Sequence, residues 1–84
     1  MKSVDHDILK LSIEELVDVQ KRGSWEKILI EFNIHNKNSF YDLVDDDDSI
    51  RDTIGRLCKV IRMDLEVFRS FYKYMLANKS KHKA

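Results

Sequence analysis

The residues with the clearest chemical potential are four consecutive aspartates, Asp45 to Asp48, in the stretch DLVDDDDSIRD. Carboxylate oxygens are the ligands that Ca²⁺ and Mg²⁺ prefer, so the run is first a candidate cation site. An EF-hand loop, however, needs glycine at its sixth position and glutamate at its twelfth. A loop beginning at Asp45 has Ile50 and Arg56 there, and the next register fails as well. The sequence therefore predicts no dedicated metal site and leaves only weak, adventitious cation binding open.

Two further interpretations of the aspartate run remain. Negative charge before a helix N-terminus complements the helix dipole by about 0.3–1 kcal/mol per charge. Ser49 and Asp52 have the spacing of a capping box, which predicts a helix beginning here. Local capping does not require four carboxylates, so we also consider an acidic loop that mimics phosphate or docks on a basic partner. The candidates for partner binding are Asp45, Asp46, Asp47 and Asp48.

The other residues capable of chemistry form no recognisable catalytic pattern. His6, His35 and His82 are far apart in the sequence, and Cys58 lies beside an apolar stripe, as a small core residue does. The chain contains no C-x-x-C, H-E-x-x-H, G-x-S-x-G or phosphate-loop motif. We therefore expect no enzymatic activity, no cofactor and no catalytic residue, although an acid–base pair among the many carboxylates stays open.

The composition favours one small helical domain. The 84 residues are 43% hydrophobic, and they include no proline and only two glycines, fewer than tight turns between strands usually need. A single cysteine excludes an internal disulfide and favours a reducing compartment. The N-terminus is acidic where a signal peptide is apolar, and the aliphatic run 28–30 is far below the ~20 residues of a membrane span. We expect a soluble, cytoplasmic protein.

Charge is divided unevenly along the chain. Residues 1–48 contain six basic and twelve acidic residues, whereas residues 49–84 contain nine basic and three acidic ones. One interpretation is that the two halves face each other within one fold or across a dimer. The other is that the basic half binds an acidic partner.

Helix-capping patterns place the N-terminal helices. Ser12 to Glu15 have capping-box spacing, which predicts that a helix begins at Ser12 and ends at Gly23. A short helical lead-in capped by Ser3 or Asp5 would precede it. Ser24 is expected to cap a second helix, because the apolar residues that follow it lie on one helical face: Trp25, Ile28, Leu29 and Phe32.

The C-terminal half carries the strongest periodicity. Its apolar residues are spaced by three or four and predict one long helix over about residues 49–77: Ile50, Ile54, Leu57, Ile61, Leu65, Phe68, Tyr72 and Met75. The alternative is a break at Arg62–Asp64, where Asp64 caps a second helix. The candidates for the core or a dimer seam are Ile54, Leu57, Ile61, Phe68, Phe71 and Tyr72. We predict an all-α, dimeric bundle of three to five helices, with one domain over 1–78 and a basic flexible tail over 79–84.

A basic stripe runs along the same segment, roughly opposite its apolar face. Its partner-binding candidates are Lys59, Arg62, Arg69 and Lys73. A solvated face with intrahelical ion pairs is the competing interpretation, since Glu66 is spaced to pair with Arg62 and Arg69.

Residues 28–44, ILIEFNIHNKNSFYDLV, resemble the helix-turn-helix of repressors of the tetracycline-repressor type. The resemblance implies a first helix over 28–32, a turn over 33–35 and a reading helix over 36–43. Asn33 stands at the usual turn glycine and also adopts positive φ. The residues that would face DNA are Asn36, Lys37, Asn38, Ser39 and Tyr41. The four aspartates that follow depart from the repressor pattern, because they would repel phosphate.

We therefore expect a small non-enzymatic regulatory or adaptor protein that acts by binding another protein, as a homodimer. The alternative is a helix-turn-helix transcriptional regulator that binds DNA.

Overall fold

The computed structural model of the chain describes residues 4–20 and 24–83, and within them it contains helices and no strands. The all-α bundle is therefore confirmed, and it ends in a long C-terminal helix, although this helix has other bounds than the predicted 49–77. No helix of the described part is long and apolar enough to cross a membrane. The five helices are α1 (His6–Gln20), α2 (Ser24–Phe32), α3 (Lys37–Asp45), α4 (Ile50–Val60) and α5 (Leu65–Lys83).

Helix α1 is one continuous helix. The sequence had predicted a short helix followed by a second helix that begins at Ser12. Asp5 caps it, because its Oδ1 accepts the backbone N–H of Ile8 at 3.1 Å. The capping box expected at Ser12 is wrong. The Ser12 side chain is fully buried, and its hydroxyl donates to the carbonyl of Ile8 at 2.8 Å, which lets serine occupy a helix interior. Gly23, the expected helix end, lies outside the described residues.

The prediction of a single helix over 49–77 is wrong, and the chain breaks where the alternative placed the break. The N–H of Met63 donates to the carbonyl of Cys58 at 2.9 Å, and the N–H of Arg62 donates to the carbonyl of Lys59 at 3.3 Å. This pair of bonds is a Schellman motif, which ends α4. Arg62 has φ of 58°, the left-handed conformation that the motif requires.

Asp64 then begins α5. Its Oδ1 accepts the backbone N–H of Glu66 at 2.8 Å, as an N-cap side chain does. The apolar periodicity continues through the break because Ile61, at the end of α4, and Phe68, in α5, are both buried in the same core. Hydrophobic spacing alone therefore did not reveal the turn.

The conformation of Arg62 leads to a prediction about stability. A left-handed backbone costs a residue with a Cβ about 1–2 kcal/mol, and glycine avoids this cost. Arg62→Gly should therefore raise the free energy of unfolding by about 1 kcal/mol and Tm by about 4–8 °C. Thermal unfolding followed by circular dichroism measures the change. As a control, Ser70→Gly in the interior of α5 should lower Tm, and a lower Tm for Arg62→Gly would contradict the prediction.

The core takes side chains from all five helices, the last of them through Phe68. Phe40 is fully buried, and its ring makes edge-to-face contacts with Trp25 (centroids 5.9 Å apart) and Phe32 (5.2 Å). The buried hydrophobic residues of the core cluster are Leu9, Ile13, Val17, Ile28, Phe32, Phe40, Val44, Ile54, Leu57, Cys58, Ile61 and Phe68. Four of the six core or dimer candidates are thus inside this subunit, whereas Phe71 and Tyr72 are half-buried.

Helix α5 continues to Lys83, so the segment 79–84 that was expected to be a basic tail is helical over 79–83. Lys79 contacts the other end of the chain, since its Nζ lies 2.9 Å from Oδ2 of Asp5. The flexibility expected of this segment stays a prediction.

Candidate docking groove

An open groove of about 920 Å³ lies between the N-terminal end of α1, the α3–α4 turn and helices α4 and α5. The break after α4 creates it, because the chain turns back there and two helices line the space. We call it the α4–α5 groove. It is lined by Val4, Leu9, Asp47, Asp48, Ile50, Arg51, Ile54, Leu65, Phe68, Arg69, Tyr72 and Lys73.

The floor of the α4–α5 groove is apolar. Leu9, Ile54 and Phe68 reach it from the buried core. Leu65, the first residue of α5, is 40% exposed and also lines the groove. Apolar side chains that form a concave surface open to water are a common feature of protein-docking and ligand sites.

The charged residues of the groove come from both sets of predicted partner-binding residues. Asp47 and Asp48 belong to the acidic run, and Arg69 and Lys73 belong to the basic stripe. Arg51 completes the set, which makes three basic and two acidic side chains around an apolar floor. The sequence patterns found four of these five charges, but only the fold brings them to one place.

The aspartate run packs mainly against α1. Asp45 Oδ2 lies 2.9 Å from Nζ of Lys10, and its other oxygen lies 3.4 Å from Nδ1 of His6. Nε2 of His6 lies 3.1 Å from Asp47. Asp46 stabilises the turn between α3 and α4, because its Oδ1 accepts the N–H of Asp48 at 3.0 Å. Asp48 makes no ion pair with any other side chain of the described residues.

Helix α4 begins at Ile50, as the sequence predicts, but not through the expected cap. Ser49 occupies the N-cap position without a side-chain hydrogen bond to the helix. Its hydroxyl instead points toward the carbonyl of Leu43, 3.5 Å away. Among the residues that the structure describes, no three His, Cys, Asp or Glu side chains are arranged to hold a metal ion.

The basic stripe is distributed over the groove, a neighbouring depression and the turn after α4. Arg69 and Lys73 line the α4–α5 groove, whereas Lys59 lines a shallow depression on α4 together with Asp48 and Arg51. Arg62 is exposed in the turn between the helices. The four basic candidates therefore do not all line one site, and the groove and the depression adjoin at Asp48 and Arg51.

The helix-turn-helix segment folds close to its expected boundaries. Helix α2 ends at Phe32, and α3 begins at Lys37, one residue after the predicted start of the reading helix. Asn33 has φ of 55°, so it adopts the positive φ that was expected of it. Arg56 of α4 covers the end of α2, because its guanidinium lies 4.2 Å from the ring centroid of Phe32 and donates to the carbonyl of Glu31 at 3.0 Å.

Three of the five DNA-facing candidates make contacts within the fold. The side chain of Asn36 caps α3 by accepting the N–H of Ser39 at 2.9 Å. Nζ of Lys37 lies 3.4 Å from Glu14 and 5.1 Å from the ring centroid of Trp25.

Tyr41 also faces α1, and its hydroxyl donates to Glu14 at 3.2 Å. Burial, with help from the Glu14 carboxylate, raises the pKa of Tyr41 well above its ordinary value, so the phenol stays protonated. Asn38 is exposed and Ser39 is half-buried. The potential reading helix therefore presents few free polar side chains, and Asp42 is exposed beside them.

Polar contacts of Asp5 with Tyr72 and Lys79, which we call the latch, join α5 to the start of α1 beside the groove. The N–H of Asp5 donates to the hydroxyl of Tyr72 at 2.9 Å, and Lys79 binds the Asp5 carboxylate. The Lys79 ammonium and the N–H of Ile8 lower the pKa of Asp5, and Asp5 in turn raises the pKa of Lys79. The sequence marked Asp5 only as a potential helix cap, and nothing in local spacing indicates a contact across 74 positions.

Cys58 is buried in the core. Burial, with a smaller contribution from Asp64, raises the pKa of its thiol, which keeps it in the unreactive protonated form.

Comparison with protein-family models, with curated proteins and with solved structures finds no match to this chain. The fold and the groove therefore carry the functional argument alone.

Proposed function

We propose that this chain is a small, cytoplasmic, non-enzymatic regulatory or adaptor protein that acts by binding another protein. The observation that carries the proposal is the α4–α5 groove. It combines an open apolar floor with five charged side chains, and such a combination suits a protein partner better than a small polar substrate.

The docking surface is tested by changing one floor residue. Leu65→Gln should reduce the amount of partner protein that is cross-linked to this chain by about ten-fold or more, because a polar side chain then replaces an exposed apolar side chain in the lining of the groove. Ile30→Gln is the matched control, since Ile30 is 79% exposed on α2 and outside the groove. Equal capture by wild type and Leu65→Gln, with both proteins folded, would remove the groove from the proposal.

The proposal includes a homodimer. Four of the predicted seam residues are buried in the core of this chain, so we place the contact with a second copy on the flank of α5 beside the remaining candidate Phe71, which is half-buried next to the exposed Val67 and Tyr74. Sedimentation equilibrium measures the association. Val67→Gln should weaken a dimer that uses this flank, whereas Ile30→Gln should not. A monomer at all concentrations would remove the homodimer and leave the groove untouched.

DNA binding is the second candidate, and the positions of α2 and α3, close to the boundaries that the repressor resemblance implies, favour it. The contacts of Asn36, Lys37 and Tyr41 within the fold count against it, as does the acidic run after α3. Fluorescence anisotropy with labelled mixed-sequence duplex separates the two candidates. A DNA binder with six or more phosphate contacts should lose about 10³-fold in affinity between about 50 and 200 mM salt. No binding at the lower salt would exclude this function.

A further inference from the structure

We propose that the α4–α5 groove takes an amphipathic α-helix of the partner, with acidic residues on the flank of the helix that faces Arg51, Arg69 and Lys73. This inference rests on the proposed function and deepens it by naming the chemistry of the partner. It is carried by the charges of the groove, by its apolar floor and by the kind of backbone that such a floor accepts.

The charges of the groove favour an acidic partner. Arg51 and Lys73 make no ion pair with any side chain that the structure describes, and Arg69 lies 3.8 Å from Glu66 in a pair whose members are both exposed. Exposed pairs of this kind contribute little and exchange readily. Asp47, in contrast, already contacts His6 at 3.1 Å. The groove therefore offers three basic groups to a ligand against two carboxylates, Asp47 and Asp48, and the first of these is already in contact with His6.

The backbone requirement favours a helix. An extended peptide lying on an apolar floor loses water from the N–H and C=O groups that face the floor; a strand edge is a common partner for such groups, and the described part of this chain contains no strand. A helix pairs its own backbone groups and presents apolar side chains at i, i+3, i+4 and i+7. Those side chains would lie on Leu65, Phe68 and Ile54, and acidic residues beside them would meet Arg69 and Lys73.

Two synthetic peptides of about 15 residues test the inference, a length at which an amphipathic sequence is partly helical in water. Both carry the same leucine stripe; one has glutamate and the other lysine on its flanks. The measurement is fluorescence anisotropy with the full chain. We expect the glutamate peptide to bind about ten-fold more tightly. The double variant Arg69→Glu, Lys73→Glu should reverse the preference, and Leu65→Gln should weaken both peptides.

The outcomes distinguish this inference from the proposed function. A lysine peptide that binds as tightly as the glutamate peptide, or more tightly, would overturn the acidic partner, although loss of binding in Leu65→Gln would still support docking in the groove. If neither peptide binds, the inference that the groove takes a helix is overturned. The cross-linking experiment with Leu65→Gln then tests separately whether the groove is a docking surface. Circular dichroism of each variant verifies that it is folded.

Discussion

Phe68→Ala should lower the free energy of unfolding by about 3–5 kcal/mol, the range typical of a buried phenylalanine. Phe68 is 2% exposed and is the residue through which α5 enters the buried core. Its removal deletes the transfer free energy of the ring and leaves a cavity between α5 and the rest of the bundle. The total free energy of unfolding of a native protein is about 5–15 kcal/mol, so the variant should be near its unfolding midpoint at elevated temperature. Urea unfolding followed by circular dichroism gives the difference.

Phe71→Ala is the matched control, because it removes the same side chain three residues along the same helix. Phe71 is half-buried and contacts Tyr74, with ring centroids 6.0 Å apart, on the flank of α5. If this aromatic contact is all that Phe71 contributes, Phe71→Ala should lower the free energy of unfolding by about 1 kcal/mol or less. Equal losses for the two variants would show that α5 does not pack on the core through Phe68.

The second large effect is expected from Asp5, which has two roles. It caps α1 through Ile8, and it fastens α5 through Lys79 and Tyr72. Asp5→Ala should lower the free energy of unfolding by about 1–2 kcal/mol from the lost cap alone, with the lost ion pair in addition. Because α1 and α5 line the α4–α5 groove near this latch, the variant should also weaken partner binding.

The latch also predicts a dependence on pH. The folded structure holds the pKa of Asp5 below its ordinary value of 3.8. A carboxyl with a depressed pKa contributes stability above the unfolded value and loses it as the pH falls through the folded value. Asp5 should therefore stabilise the fold at neutral pH, and this stabilisation should disappear during acidification below about pH 4. Urea unfolding at a series of pH values measures the slope.

Asp5→Asn separates the two roles of this residue. Asparagine caps helices about as well as aspartate but carries no charge for Lys79. The variant should retain most of the stability that Asp5→Ala loses, and it should show a smaller loss of stability on acidification than wild type. If Asp5→Asn and wild type lost stability in parallel below pH 4, the Asp5–Lys79 pair would not contribute to acid sensitivity.

Local patterns predicted much of the secondary structure. The start of α2 within one residue of its expected start, the positive φ of Asn33 and the start of α4 at Ile50 each depend on a few neighbouring residues, which is the range that spacing and capping rules describe. Ser24 was expected to cap α2 and is instead its first residue. The same rules failed at Ser12. A buried serine whose hydroxyl bonds to the preceding turn has the same local sequence as a helix cap, so only its burial distinguishes the two.

The break between α4 and α5 shows why periodicity could not decide between one helix and two. Apolar residues continue at spacings of three and four from Ile54 to Phe68, because both helices pack on one core. Arg62 occupies the left-handed position without the glycine that usually marks it, so the strongest stop signal was absent. Asp64 was the only local indication of a new start.

By itself, the sequence determined the all-α class, most helix starts and the residues able to carry charge or apolar contact. The tertiary structure decided where those residues meet. It paired Asp45 with Lys10 across 35 positions and Asp5 with Lys79 across 74. It also gathered parts of the acidic run and the basic stripe around one apolar floor. Such contacts depend on how whole helices pack, and packing responds to the shape of the entire core rather than to the spacing of neighbouring residues.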